Sequence, residues 1–377
     1  MKILQLSKYY PPTLGGLELV AEFFSRASVL LKNEVTVIAL GQTTKNYTGR
    51  FGEKVLQSKE DIKLNSSPFS LRYFLNVRKE ILENRPDVIF LHLPHPYSHE
   101  IAKWIKSSSL NKNLKIVGVF HSDVVKQVHL KDAYNFHFKR HIDIYDYFVC
   151  SSKNLKNSSE ILSSLPDEKV KIIPFCVDHT NIGKPVSRPE KFQAKFITIG
   201  RLVPYKGYEF LINCFNSLPY DLTIIGSGPL NKELQKLANY NIKFLGEVSE
   251  EQKFSLLNTH DALIMSSINK AEAYGMTIVE AFSLGLPVIA ADIDTGVSFL
   301  VNHDKTGLKF KVQDEASLKQ QIRRFESDPQ LRKALSQQGY EFFQKDLNFG
   351  AFCANLETFL EACISEKPKR VPELRIG

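Results

Sequence analysis

Hydrophobic positions in this chain gather into short continuous runs, separated by stretches where apolar residues recur every three or four places. In the first half the runs are "KILQLS" from Lys2, "EVTVIAL" from Glu34, "DVIFLHL" from Asp87, "KIVGVF" from Lys115, "YFVCSS" from Tyr147 and "VKIIPF" from Val170. The second half repeats the rhythm with "FITIG", "DLTIIG", "IKFLG", "ALIMSS" and "PVIAAD". Short runs that are apolar throughout, not alternately, predict strands covered on both faces. The amphipathic stretches between them predict the covering helices. The pattern is that of an α/β chain with a doubly wound parallel sheet in each half.

Between the two series lies "CVDHTNIGKPVSRPEKFQ", polar, with two prolines and no periodicity, which reads as an interdomain linker. We therefore expect a first domain over 1–180, a second over 181–350, and a final segment over 351–377. That last segment combines a helix, expected to pack back toward the first domain, with a basic Pro-broken tail, "EKPKRVPELRIG". Two open sheets facing each other bring their strand C-termini around one cleft. Binding residues are then expected in the loops that follow strands.

Composition narrows the class. With 43% apolar and 24% charged residues the chain can bury a sizeable core. No window approaches the roughly 20 apolar residues of a membrane span, and the first residues lack a signal-peptide pattern. Five scattered cysteines without a CxxC pair suit reduced thiols in a cytoplasmic protein. The net charge of +8 calls for a polyanionic partner or surface. No helix-turn-helix, zinc finger or aromatic RNA-binding signature accompanies it, so nucleic acid is not the expected partner. Lys103, Lys106, Lys112, Lys115, Lys126, Lys131, Lys139 and Arg140 interleave with Trp104, Tyr134, Phe136 and Phe138. That reads either as a solvated face or as a surface for an anionic membrane.

The candidate chemistry sits after strands. "RLVPYKG" follows "FITIG" and places Arg201 and Lys206 in one strand-to-helix loop. Such a pair is either a solvated turn or a diphosphate clamp, with Arg forking across oxygens and Lys acting as a point charge. Gly226 and Gly228 after "DLTIIG" form a GxG, either a tight turn or a close backbone approach to ligand. Gly15 and Gly16 in "YYPPTLGGLE" open a helix whose N–H groups could meet an anion. The spacing is not G-x-G-x-x-G and no acid ends "EVTVIAL", which disfavours a nicotinamide dehydrogenase. His121 in "HSD" ends a strand, where it is either structural or aimed into the cleft. His92, His95 and His99 lie close together in "HLPHPYSHE", but the segment is broken by proline and matches no familiar metal spacing.

The densest stretch is "KAEAYGMTIVEAFSLGLPVIAAD". Gly275 breaks the chain and a helix begins near Thr277. Free N–H groups of Gly275, Met276 and Thr277 form a phosphate cradle. Glu280, expected in the first turn, could accept from a vicinal diol such as ribose. Glu272, in the preceding loop, would meet whatever lies beyond the phosphates. A carboxylate answering the helix dipole explains Glu280 alone, not the pair.

Taken in order, "YYPPTLGGLE", "HSD", "GRLVPYKG", "GSGP" and "EAYGMTIVEA", the last with its E-x7-E spacing, resemble the retaining glycosyltransferases of family 4, which have the two-domain GT-B fold. The resemblance spans essentially the whole chain. It implies that Glu280 holds the ribose of a nucleotide sugar, Arg201 and Lys206 its diphosphate, and Glu272 hydroxyls of the donor sugar. His121 would touch that sugar from the first domain, which also binds the acceptor; His92, His95 and Asp123 are the acceptor candidates. It implies transfer with retention, no Asp-x-Asp metal site and no cofactor. Two departures stand out. "IPFCVD" has Cys176 where the family often has Gly, and "DIDTGVSFLV" has Ser298 and Phe299 where Gly and Glu are common. They suggest a subgroup similar to enzymes of lipopolysaccharide O-antigen or capsule assembly. The expected donor is a UDP-hexose or GDP-mannose and the expected acceptor a saccharide on a polyprenyl diphosphate. The protein would work at the inner face of the cytoplasmic membrane. The alternatives are a sugar-nucleotide hydrolase or epimerase of the same fold, and a catalytically silent nucleotide-sugar binder.

Overall fold

The apolar runs form the middles of two parallel sheets. The computed structural model describes residues 1–13, 15–64, 67–95, 97–107, 113–123, 128–178 and 192–365. The first lobe contributes β1 (Lys2–Leu6), β2 (Glu34–Gly41), β3 (Lys45–Thr48), β4 (Lys54–Lys59), β5 (Ile62–Leu64), β6 (Ser67–Phe69), β7 (Val88–Leu93), β8 (Lys115–Phe120), β9 (Tyr147–Cys150) and β10 (Val170–Ile172). Its main sheet runs β10-β9-β8-β7-β1-β2-β4-β3, with β5 and β6 forming a separate hairpin. The second lobe contributes β11 (Lys195–Ile199), β12 (Asp221–Ile225), β13 (Ile242–Gly246), β14 (Ala262–Met265), β15 (Val288–Ala291) and β16 (Leu308–Phe310), in the order β13-β12-β11-β14-β15-β16.

Every predicted run is a strand. Strands β3 to β6, and β16 at the edge of the second sheet, are the ones the pattern does not announce. They lie at the edge or off the main sheet, and β3 pairs antiparallel with β4 while its own residues are largely exposed. An edge strand needs no continuous apolar run, because only one face and one side are covered.

In β1, β7 and β8 successive side chains alternate between two cores. Leu4, Leu6, Ile89 and Leu91 face one, and Ile3, Val88, Phe90, Val117 and Val119 the other. The second of these cores continues through Ile173, Phe175 and Val177 into the other lobe. The helix Phe349–Ser365 lies across the first lobe, with Phe352 on Phe24 at 5.1 Å and Phe359 on Tyr147 at 5.8 Å. Each buried phenyl ring contributes about 1.5–3 kcal/mol. Arg26 adds an ion pair with Asp178 and sits 4.0 Å over the Phe349 ring. The middle of the linker and the tail beyond Ser365 lie outside the described residues.

The basic stretch differs from expectation. Phe138 is fully buried, Trp104 and Tyr134 pack against the same core, and only Phe136 of the four aromatics is exposed. Helical periodicity outweighs the alternation of charge and aromatic character there. Lys112 and Lys126 lie outside the described residues.

Candidate active site

Strands β12, β11 and β14 lie side by side, so the loops after them meet. The loop from Gly200 to Gly207 receives the next one directly: Leu202 N–H donates to Ser227 O at 2.8 Å. Gly226 has φ 127°, and a Cβ there would lie 2.1 Å from Gly200 O. A Cβ on Gly228 would likewise strike the Leu202 carbonyl, at 2.4 Å. This GxG packs one loop against the other.

Glu272 follows β14 and is 8% exposed. One of its oxygens accepts from Lys206 Nζ at 2.5 Å and from Ser267 Oγ at 2.9 Å. Burial works against the Lys206 ammonium, but Glu272, Tyr208 and Tyr205 together outweigh it and hold the lysine above its ordinary pKa. Lys206, Ser266, Ser267 and Thr277 line one small cavity. Arg201, in the same loop as Lys206, is exposed.

The helix Met276–Ser283 opens at Gly275, whose φ of 93° only glycine adopts readily, and no side chain caps its first N–H groups. Glu280 lies in the second turn, not the first. Its side chain therefore points along the helix flank into the protein. It is 6% exposed; one oxygen accepts from Lys253 Nζ at 2.9 Å and the other, Oε2, is buried without a partner. Burial raises the Glu280 pKa, and Lys253 only partly offsets this. For Lys253 burial acts downward, and Glu280 and Glu250 together more than reverse it. Sequence reading missed Lys253, which sits on a helix whose other exposed residues are ordinary solvated ones. The local cause is a capping box: Ser249 Oγ accepts from Gln252 N–H and Gln252 Oε1 from Ser249 N–H, both at 3.2 Å. The helix Glu250–Thr259 thus starts where Lys253 can reach across to Glu280.

The first lobe meets this site with a second uncapped helix N-terminus. Gly15 and Gly16 begin the helix Gly16–Leu30, and a Cβ on Gly16 would lie 3.9 Å from Met276 Cγ. The lobes also touch where Lys270 Nζ donates to Ser158 O at 2.8 Å and Asn154 Nδ2 to Asp294 Oδ1 at 3.0 Å. His121, just after β8, is 7% exposed; its Nε2 lies 3.0 Å from His92 Nδ1. His92 Nε2 in turn lies 2.8 Å from the side-chain amide of Gln5. Burial pushes the pKa of His121 down to about 3, and that of His92 well below its ordinary value, so both rings are neutral. Asp123 accepts from Ser159 Oγ at 2.8 Å, and burial raises its pKa.

Two acceptor candidates lie deeper than expected. His92 is 1% exposed and reaches the cleft only through His121. His95, also 1% exposed, stacks on Tyr73 with ring centroids 5.3 Å apart. His99 turns away again, with Nδ1 3.3 Å from the Tyr145 hydroxyl. The three imidazoles diverge because strand, turn and helix carry one each. Among the described residues no group of three His, Cys, Asp or Glu is placed to hold a metal ion.

The arrangement offers two cations, one uncapped helix end and a buried unpaired carboxylate oxygen on one side of a cleft, and a second uncapped helix end and a neutral imidazole on the other. That set can hold a dianionic phosphate ester with an attached diol. Residues 14–181 match the Glycosyltransferase Family 4 model and residues 182–342 the Glycosyl transferases group 1 model. The chain is 29% identical to a D-rhamnosyltransferase, WbpZ, of Pseudomonas aeruginosa over 88% of each chain. It is 27% identical to O-antigen chain mannosyltransferase C of Escherichia coli over 81% of this chain and 83% of that one. Among solved structures, sucrose-phosphate synthase of Thermosynechococcus elongatus superposes with a TM-score of 0.78 at 16% identity, over 96% of this chain and 98% of that one. Anabaena HepE in complex with UDP-glucose gives 0.71 at 19%, over 96% and 100%.

Proposed function

The chain belongs to the family 4 glycosyltransferases and has the GT-B fold, and from that premise we propose a retaining, metal-independent hexosyltransferase. It would move a hexose from UDP-hexose or GDP-mannose to a saccharide on a polyprenyl diphosphate, in O-antigen or capsule assembly. The names of the two bacterial relatives support this class of product. The observation that carries the reading is the buried, unpaired Oε2 of Glu280 beside the Lys206–Glu272 pair and the open N-terminus of the helix Met276–Ser283. An orphaned buried carboxylate oxygen costs about 1–3 kcal/mol and is retained where a ligand satisfies it. The ribose diol would do so.

In this reading Arg201, Lys206 and the N–H groups of Met276 and Thr277 stabilise charge on the departing diphosphate, which is the work a divalent cation does elsewhere. The acceptor hydroxyl attacks C1 on the face that the diphosphate leaves. A new C1–O bond forms, the C1–O(phosphate) bond breaks, and the hydroxyl proton passes to the leaving phosphate oxygen. Glu272 orients sugar hydroxyls and stabilises positive charge near C1.

For the acceptor end, the exposed face of the β5–β6 hairpin and the helix Leu71–Asn84 suits an anionic inner leaflet better than the basic stretch after Lys103. Ile62, Leu71 and Leu75 are 57%, 60% and 55% exposed, and the same helix exposes Arg72, Arg78 and Lys79. Phe69 on the same hairpin stacks edge-on with Tyr97, at 5.6 Å. Among the described residues no helix is long and apolar enough to cross a membrane.

The test is transfer from a panel of nucleotide sugars to a lipid-linked saccharide, with and without chelator, reading the product's anomeric proton by NMR. A product of retained configuration, formed equally in chelator, is expected. Inversion, or activity lost to chelator and restored by a divalent cation, overturns the corresponding part of the reading. Free hexose as the sole product would make the enzyme a hydrolase.

A further inference from the structure

Gln5 and His92 sit on the adjacent strands β1 and β7, and His121 directly follows the next strand, β8. The order β8-β7-β1 places them in a row, and the alternation of side chains turns all three toward the face covered by the helix Gly16–Leu30. Gln5 interrupts "KILQL" and His92 interrupts "VIFLHL", each fully within the core. A buried amide and a buried imidazole in central strands are costly unless paired, and here each is paired with the next.

We propose that Gln5 and His92 are positioning residues that lock His121 as the neutral Nδ1–H tautomer, so that His121 serves the cleft as a hydrogen-bond donor and not as a base. This rests on reading the cleft as the transfer site.

The row is fixed from the backbone outward. With its Oε1 turned toward Ser25, the Gln5 amide accepts from Ser25 N–H at 2.9 Å and from Ser25 Oγ at 2.6 Å. Its Nε2 then donates to Ala21 O at 3.3 Å and to His92 Nε2 at 2.8 Å. The opposite orientation would set oxygen against the Ala21 carbonyl and nitrogen against the Ser25 N–H. Since Gln5 donates, His92 Nε2 accepts, and a neutral His92 must carry its proton on Nδ1. That proton lies on the 3.0 Å contact with His121 Nε2, which must accept. His121 is left with its proton on Nδ1, the one ring nitrogen of the row that makes no hydrogen bond among the described residues. Phe24 edge-on to His92 at 5.5 Å and Phe175 against His121 at 5.3 Å hold the two ring planes. Among the described residues, His121 and His95 are the charged-form neighbours that act on His92, and burial alone shifts His121.

The consequence is chemical. A ring whose Nε2 lone pair is engaged and whose Nδ1 is protonated cannot take the acceptor's proton. It can only donate, to a sugar hydroxyl or a developing oxyanion.

The test is long-range 1H–15N NMR of the histidine rings in the full chain, with His121 assigned by difference from His121→Gln. Wild type should show His121 as a single neutral Nδ1–H tautomer near neutral pH, with or without nucleotide. In parallel, His92→Leu should lower kcat by about tenfold or more, with KM for the nucleotide sugar little changed. His92→Asn, whose amide can still donate to His121 Nε2, should recover most of that loss. An Nε2–H or imidazolium His121 in the folded wild type overturns the proposal, as does His92→Asn performing no better than His92→Leu. The NMR measurement needs no turnover, so failure of the transfer reading is distinguishable from failure of this one.

Discussion

The two halves of the cleft are built on the same sheet topology but hold their polar groups in opposite ways. In the second lobe ionised side chains are buried as pairs: Lys206 with Glu272, and Lys253 with Glu280. In the first lobe the row Gln5, His92 and His121 is buried and neutral. Burying a charge is tolerable only with a partner, whereas a neutral row needs only donors and acceptors in alternation. The difference suits the two ends of a nucleotide sugar. The diphosphate brings fixed charge, and the hexose brings hydroxyls that a directional neutral donor can sort.

The largest expected effect tests the charged half. Glu272→Gln keeps the volume and the bond to Ser267 but leaves Lys206 without its counter-charge. Transfer should fall about 100- to 1000-fold, the range for loss of one preorganised electrostatic group. The circular dichroism spectrum should be unchanged. Turnover within a few-fold of wild type would remove Glu272 from the chemistry. Next in size is Glu280→Gln, which retains one acceptor and loses the charge. Nucleotide-sugar affinity measured by calorimetry should drop about 10- to 100-fold, as for a lost charge-assisted hydrogen bond, with kcat less affected. An unchanged Kd would mean that the unpaired Oε2 does not meet the ribose.

The two halves also differ in how far sequence alone exposes them. Glu272, Gly275 and Glu280 fall within one short segment, and Arg201 and Lys206 within one loop, so local spacing carries the information. The mistake there was small: one turn of helix separates the observed place of Glu280 from the expected one. Lys253 escaped because its partner is 27 residues away and its neighbours Glu250 and Glu251 mark an ordinary solvated helix. The neutral row was half visible. Gln5 and His92 each break an apolar run, a signal that a polar group is needed in the core. Which groups pair depends on β1, β7 and β8 being neighbours, and strand order is not written in local spacing. His95 misled for the same reason: beside a proline it resembles a loop residue, yet the structure folds it under Tyr73.

A smaller effect sharpens the comparison through pH. Burial raises the Glu280 pKa, so the carboxylate becomes protonated, and its free oxygen becomes a poorer acceptor for a ligand hydroxyl, at a pH above the ordinary glutamate range. Nucleotide affinity should therefore weaken as pH falls through that raised value. Lys253→Met removes the nearby cation that favours the ionised form, so the acid-side loss should move to higher pH, with affinity at alkaline pH largely retained. Calorimetric titration of a nucleoside diphosphate across pH would read this. For the folded state the sign is opposite: an ionised Glu280 is a cost that protonation relieves, so weakened binding on the acid side would not reflect global unfolding.

The smallest effect separates the halves by salt. Ion pairs with a diphosphate at a partly open cleft are screened, since the Debye length falls to about 8 Å near 0.15 M. Nucleotide-sugar affinity of the wild type should weaken by a few-fold between low and physiological salt, and less so once Arg201, the exposed cation, becomes Met. A neutral donor contributes no such dependence. His121→Asn should lower kcat by a factor that is the same at every salt concentration, because what is lost is a directional hydrogen bond and not a Coulombic attraction. If the deficit of His121→Asn shrank as salt rose, the imidazole would be acting as a charge. The first lobe would then work by the same means as the second, and the division between a charged and a neutral half would fail.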